Sequence, residues 1–72
     1  MEFIDLTDHR CPYPLVTVKM ALKQMSVGMQ LHVLLSDKQS CKDVPAYIKK
    51  QGHTVSTAPT ELGFLAVWIT KA

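Results

Sequence analysis

The hydrophobic positions of the chain fall into short blocks, each about as long as one strand or one helix. Phe3, Ile4 and Leu6 form a short apolar run, which predicts a first strand. Apolar residues then recur at intervals of three and four, which predicts a helix with one buried face. The positions on that face are Leu15, Val18, Leu22 and Met25. Gly28 follows, and we expect it to end the helix in the left-handed backbone conformation.

The middle of the chain predicts a second strand and a second helix. Residues 29–35 alternate between two faces, which places His32 on the face exposed to solvent. Ser40 and Asp43 have the spacing of a capping box, so Ser40 is the predicted N-cap of the second helix. Pro45 would then lie within or just after the first turn of that helix. Its inward side chains are Val44, Tyr47 and Ile48.

The last part of the chain predicts a β-hairpin. Two strand-like runs, residues 53–57 and 64–70, are separated by a turn-like segment between Pro59 and Gly63. The predicted order β-α-β-α-β-β belongs to the α/β class. Because connections between parallel strands are right-handed, both helices are expected on one face of a four-stranded mixed sheet. Both helices then begin at the same edge of the sheet, where open α/β sheets usually bind ligands.

Length and composition exclude several classes of protein. The 72 residues suffice for a single domain over residues 1–72, and a hydrophobic fraction of 47% argues against disorder. A net charge of +2 from scattered basic residues gives at most a weak electrostatic footprint for binding nucleic acid. No apolar stretch reaches the about 20 residues of a membrane span. Acidic residues lie where a signal peptide would be positive, so we expect a cytoplasmic protein.

The cysteines and histidines do not have the spacing of a metal site. Zinc needs about four ligands in close pairs, and the chain contains neither a CxxC nor an HxxxH motif. The candidate ligands are His9, Cys11, His32, Cys41 and His53. We therefore expect no metal and no cofactor. In a reducing compartment the two cysteines are not expected to form a structural disulfide.

Cys11 lies in the segment HRCPYPL, directly before the first predicted helix. Pro12 and Pro14 suit the first turn of a helix, so the helix is expected to start immediately after Cys11. The partial positive charge of a helix N-terminus, together with Arg10, would lower the pKa of the thiol. We also expect free amides of that turn, such as those of Tyr13 and Leu15, to point back toward the sulfur. This arrangement is typical of a nucleophile.

The residues alone leave other interpretations open. A lone cysteine is often a small buried hydrophobe, and no general base for Cys11 is identifiable from spacing. Cys41, at the first position of the predicted second helix, is either a tolerated surface cysteine or a resolving thiol in a Cys11–Cys41 redox pair. A non-catalytic regulatory module, or one that binds RNA or protein, would keep its function without Cys11.

The segment Cys11–Pro14 reads Cys-Pro-Tyr-Pro, and on this Cys-Pro-x-Pro hallmark the chain resembles the TusA/SirA-like family of small sulfur carriers. The resemblance extends over essentially the whole chain. The other matching positions are Arg10, Gly28, Asp37, the stretch 43–46 and the pair Gly52-His53. The chain departs from the family at Asp8, where the family has glycine, and the resemblance gives Cys41 no role.

The resemblance implies a two-layer α/β sandwich, like the C-terminal domain of bacterial translation initiation factor three. It implies that Cys11 carries sulfane sulfur as a persulfide, received from a cysteine desulfurase or a rhodanese-like donor. An acceptor protein in tRNA thiolation, cofactor synthesis or sulfur oxidation would take the sulfur, and the carrier is expected to be monomeric. The expected supporting residues are Arg10, Pro12, Tyr13 and Pro14. Asp37 and Asp43 are expected to be either structural or secondary contacts near the same edge. Cys41 is a secondary candidate by its predicted position in the second helix, not by the resemblance.

Overall fold

A computed structural model of the chain describes residues 2–72. The elements are β1 (Glu2–Leu6), α1 (Tyr13–Gln24), β2 (Gln30–Leu35), α2 (Lys38–Lys50), β3 (Thr54–Pro59) and β4 (Leu65–Thr70). The predicted order β-α-β-α-β-β is therefore confirmed. The element bounds differ from the predicted ones by at most three residues, and the ends of the first, second and fourth strands are as predicted.

The four strands form one mixed sheet in the order β1-β2-β4-β3. β1 and β2 are parallel, while β4 is antiparallel to both β2 and β3. The parallel first pair and the C-terminal hairpin are both as predicted. Because β1 and β2 run in the same direction, the segments that leave their C-terminal ends lie at one edge of the sheet.

A single apolar core lies between the sheet and the two helices, so both helices cover the same face. Its buried members are Leu6, Val18, Leu22, Met25, Leu31, Val33, Leu35, Val44, Ile48, Val67 and Ile69. Each fully buried aliphatic side chain contributes about 1.5–3 kcal/mol relative to exposure. The predicted apolar faces are confirmed, except that Leu15 and Tyr47 are only half-buried. Pro14 is buried in the first turn of α1.

The predicted start of α2 is wrong by three residues. Its N-cap is Asp37, whose side chain accepts a hydrogen bond from the backbone amide of Ser40 at 3.0 Å. Ser40 is therefore the third residue of the helix, and Asp43 does not complete a capping box. Aspartate and serine are about equally good N-caps, so the local sequence does not distinguish them. Pro45 consequently lies in the interior of the helix, where it cannot donate to the Cys41 carbonyl.

The end of α1 also differs from the prediction. The helix ends at Gln24, with Met25 as an extended C-cap. Gly28 does have a positive φ of 90°, but it lies in the following turn and not directly after the helix. The Lys71 ammonium donates to the carbonyls of Leu22 and Met25 at 2.6 and 2.7 Å. The Leu22 carbonyl also accepts the Met25 amide at 3.3 Å, so the ammonium adds to the hydrogen bonding of the carbonyls at the end of the helix.

The face of the sheet opposite the helices has a row of three aromatic rings. The His32 ring lies 5.2 Å from that of Phe3 and 4.7 Å from that of Trp68, between ring centroids. The Nδ1 atom of His32 is 3.1 Å from the Val67 carbonyl oxygen. His32 was expected to face solvent, and it is instead half-buried between its neighbours.

Candidate functional site

The connections that follow β1 and β2 bring Cys11 next to the start of α2. The backbone amide of Cys11 donates to Oδ2 of Asp37 at 3.2 Å. The same Asp37 oxygen accepts from the Ser40 amide at 3.0 Å and from the Ser40 hydroxyl at 3.1 Å. One carboxylate thus caps α2 and holds the backbone of Cys11, which places both at the predicted edge of the sheet.

Cys11 does not lie at the helix N-terminus in the way that was predicted. α1 begins at Tyr13, and its N-cap Pro12 has a non-helical backbone with φ −95° and ψ 5°. The Cys11–Pro12 peptide bond is cis. The Tyr13 amide donates to the Arg10 carbonyl at 2.9 Å, so it does not point at the sulfur. α1 therefore begins one residue later than expected, and the expectation that the Tyr13 amide points at the sulfur is wrong.

The nearest charged partner of the sulfur is a carboxylate on α2. The Sγ atom of Cys11 lies 3.7 Å from Oδ2 of Asp43 and donates its proton toward it. The side-chain amide of Gln39 donates to both oxygens of Asp43 at 3.1 Å, one helical turn earlier. Gln39 and Asp43 lie on the same side of α2, so Gln39 fixes the carboxylate against the sulfur.

These surroundings raise the pKa of the Cys11 thiol above its ordinary value. Burial is the largest cause, followed by the charge of Asp43, the hydrogen bond to Asp43 and the charge of Asp37. The predicted lowering of this pKa is thus wrong. Two carboxylates 26 and 32 positions further along the chain act on the sulfur, and the sequence around Cys11 gives no sign of them.

The pKa of Asp37 is shifted in the opposite direction, below its ordinary value. Hydrogen bonds from the amides of Ser40 and Cys11 lower the pKa of Asp37, and the Ser40 hydroxyl and the Arg10 charge lower it further. Each of these donors stabilises the ionised carboxylate. Arg10, which was expected to act on the sulfur, has its resolved electrostatic effect on Asp37 instead.

Cys41 is the fourth residue of α2, not the first as was predicted. Its half-buried side chain packs against the hydrophobic core. Burial and the charge of Asp37 raise the pKa of this thiol. Both cysteines are free thiols, and the Cys11 sulfur is directed at Asp43.

An exposed apolar stripe extends from the Cys11 segment along α1. It consists of Tyr13, Val16 and Met20, which are 52%, 50% and 54% exposed. The His9 ring lies on Tyr13 with the centroids 4.2 Å apart. Only Tyr13 had been predicted as a contact surface. Val16 and Met20 could have been recognised because they are apolar yet lie off the buried face of the helix.

The surface of the helical layer is strongly basic. α1 contains two lysines and no acidic residue, and α2 contains four lysines and one aspartate. The lysines nearest the stripe along α1 are Lys19 and Lys23, and the Lys19 ammonium lies 4.8 Å from the centre of the Tyr47 ring. The edge of the exposed stripe is therefore positively charged.

Residues 2–72 contain no group of three or more His, Cys, Asp or Glu side chains that could hold a metal ion. Within that part of the chain, neither helix is long and apolar enough to cross a membrane.

Comparison with known proteins identifies a family that this chain matches. The family model described as "Sulfurtransferase TusA" matches residues 2–71. The chain is 33% identical to the sulfur carrier protein TusA of Allochromatium vinosum, over 96% of this chain and 91% of that one. It is 35% identical to an Archaeoglobus fulgidus protein whose name marks it as a proposed sulfur carrier, over 99% and 97% of the two chains.

A solved structure supports the fold independently. The crystal structure of a SirA-like protein from Desulfitobacterium hafniense superposes with a TM-score of 0.86, over 97% of this chain and 96% of that one. At 24% identity this likeness concerns the fold alone. The family match extends over residues 2–71, which is nearly the whole chain. The chain therefore belongs to the TusA sulfurtransferase family, whose members are sulfur carriers.

Proposed function

We propose that this protein takes up sulfane sulfur on Cys11 as a persulfide and passes it to an acceptor protein. The observation that supports this most is the position of Cys11. Cys11 is a partly exposed residue in the Cys-Pro-x-Pro segment, next to the exposed apolar stripe of Tyr13, Val16 and Met20. A carrier needs a sulfur that two different proteins reach in turn, and a surface on which each of them docks.

The transfer moves one sulfur atom without net oxidation. The Cys11 thiolate attacks the terminal sulfur of a persulfide on the donor, after its proton has passed to solvent. A new S–S bond forms on Cys11, the S–S bond of the donor breaks, and the donor cysteine leaves as a thiolate. In the second transfer an acceptor thiolate attacks the terminal sulfur on Cys11, and Cys11 leaves as a thiolate.

The neighbouring residues would position the sulfur during these steps. Pro12 and Pro14 restrict the backbone on the helix side of Cys11. Asp37 holds the Cys11 amide from the other side, through its hydrogen bond of 3.2 Å. The segment is thereby attached to α2, and this limits the movement of the sulfur between two successive partners.

The partners would be proteins that present an acidic surface around an apolar patch. The stripe supplies the apolar contact, and Lys19 and Lys23 would meet acidic side chains at its edge. We propose a cysteine desulfurase or a rhodanese-like protein as the donor, and an acceptor in tRNA thiolation, cofactor synthesis or sulfur oxidation. The carrier would act as a monomer in the cytoplasm, where thiols stay reduced.

A Cys11–Cys41 redox pair has less support. Cys41 packs against the core, and the Cys11 sulfur is directed at Asp43. A module that acts without Cys11 is the remaining alternative, and substitution of that residue tests it.

Sulfur loading tests the proposal and narrows the class of donor. The protein is incubated with a cysteine desulfurase and cysteine, and separately with a rhodanese and thiosulfate. We expect its intact mass to rise by one sulfur atom with at least one donor, and cyanide to release that sulfur as thiocyanate. Cys11→Ser should gain none. Equal loading of Cys11→Ser would refute the role of Cys11.

A further inference from the structure

The charged groups around Cys11 form an unusual setting for a sulfur that must react. Asp43 in α2 lies 3.7 Å from Sγ of Cys11. Asp37, the N-cap of α2, accepts a hydrogen bond from the Cys11 amide. Arg10, on the segment before α1, acts electrostatically on Asp37. The charges that act on the sulfur itself are both negative.

Gln39 holds the Asp43 carboxylate in place without neutralising its negative charge. Its amide donates to both oxygens of Asp43 at 3.1 Å, so the carboxylate is held in place while its charge remains. A lysine or arginine at the same position would have cancelled much of that charge. The site thus contains a fixed negative group beside its reactive atom.

A negative charge at this place affects both transfers. The attacking species in sulfur exchange is the thiolate, which a nearby carboxylate disfavours. The departing species is also the Cys11 thiolate, and a leaving group departs more slowly as its pKa rises. The same carboxylate would therefore slow loading and unloading of the free carrier.

We propose that Asp43, together with burial of the thiol, suppresses the reactive thiolate of Cys11 in the free protein, and that a partner activates the sulfur by placing a cationic group against the Asp43 carboxylate. The partner-activation part rests on the proposed carrier function. Each partner would then need an arginine, a lysine or a helix N-terminus beside its reactive cysteine. Without such a partner, Cys11 would react only slowly with unrelated thiols and disulfides.

Disulfide reagents of different charge test this without any sulfur donor. In the reaction the Cys11 thiolate attacks one sulfur of the reagent, the S–S bond of the reagent breaks, and half of it leaves as a thiolate that takes up a proton. Three reagents are compared. Cystamine places an ammonium group beside the site, and 3,3′-dithiodipropionate places a carboxylate there. The third reagent, 2-hydroxyethyl disulfide, carries no charge. The rate of mixed-disulfide formation on Cys11 is measured by peptide mass spectrometry, which separates it from Cys41.

We expect wild-type Cys11 to react several-fold faster with cystamine than with the neutral reagent, and slowest with the anionic one. The six lysines of the helices favour the opposite order, so this preference would be a local effect of the site. In Asp43→Asn the ratio of cystamine to anionic reagent should fall several-fold. Glu61→Gln, an acidic residue on the β3–β4 turn, is the matched control and should keep the wild-type ratio.

Equal wild-type rates with the three reagents, or an unchanged ratio in Asp43→Asn, would overturn the inference. A salt series on the wild type gives the same test without a variant. The cystamine preference should shrink as added salt screens the carboxylate, and a preference that is independent of salt would contradict the electrostatic cause. Because no donor protein is used, failure of persulfide loading and failure of this inference are separate results.

Discussion

The carboxylate of Asp37 accepts the backbone amide of Cys11 at 3.2 Å, across 26 positions of sequence. The same oxygen caps α2 through Ser40. The reactive segment and the second helix are therefore connected through one side chain, and a change at Asp37 affects both.

Asp37→Ala should lower the free energy of unfolding by about 1 kcal/mol, the typical effect of losing an N-cap side chain. Asp37→Asn should lose less, because asparagine also caps helices. Urea unfolding followed by circular dichroism measures both. Asp8→Ala, at an exposed neighbouring position, is the control and should change little. Equal stability of Asp37→Ala and the wild type would show that the cap does not contribute.

The stabilisation from Asp37 should depend on pH in one direction. Its folded pKa lies below the ordinary value of 3.8, so its contribution is fully present above that value and is lost as pH falls through the folded pKa. The difference in unfolding free energy between wild type and Asp37→Asn should therefore decrease toward zero as the pH falls. A difference that stays constant from neutral pH to strong acid would contradict this explanation.

The thiol of Cys11 should titrate above the ordinary value of 9.0 in the folded protein, because burial, Asp43 and Asp37 all disfavour the thiolate. Alkylation by iodoacetamide as a function of pH, resolved by peptide mass, measures the midpoint. In urea the midpoint should return toward the ordinary value, because the carboxylates are then distant. A folded midpoint below the unfolded one would instead indicate the helix-terminus effect that the sequence predicted.

The apolar stripe on α1 should be needed for docking and not for the chemistry of the sulfur. Val16→Asp should raise the concentration of carrier required for half-maximal loading by a donor by about tenfold, as expected for a contact residue in an interface. Alkylation of Cys11 should change little. Val27→Asp is the matched control, since Val27 is also exposed but lies beyond the end of α1. Equal effects of the two substitutions would argue against the stripe as the docking surface.

The periodicity of the apolar residues was sufficient to predict the architecture. The spacing of Val18 and Leu22 indicated the first helix, and the alternation around Val33 indicated a strand. The start of α2 was missed because Asp37 and Ser40 are both good N-caps, and only tertiary structure selects between them. The parallel pairing of β1 and β2, by contrast, could be predicted from the order of the elements alone.

The candidate site was only partly predictable. Cys11 was evident from its motif, and Asp37 and Asp43 had been named as candidate secondary contacts near it, but the effect of their charge on the sulfur was not predicted. Asp43 lies 3.7 Å from the sulfur. Because α2 starts earlier than expected, Gln39 belongs to the same helix and holds the Asp43 carboxylate from the preceding turn. The thiol pKa is raised and not lowered, because burial and two carboxylates from a distant part of the chain act on the sulfur.

The central claim is tested most directly with two proteins that each keep a single thiol. Cys41→Ser retains Cys11 alone, and Cys11→Ser retains Cys41 alone. Each is incubated with a cysteine desulfurase and cysteine, and with a rhodanese and thiosulfate, and the intact mass is followed over time. The account predicts that Cys41→Ser gains one reducible sulfur atom with at least one donor, while Cys11→Ser gains none. Loading confined to Cys11→Ser, or absent from both proteins with both donors, would contradict the claim that Cys11 is the sulfur-carrying residue.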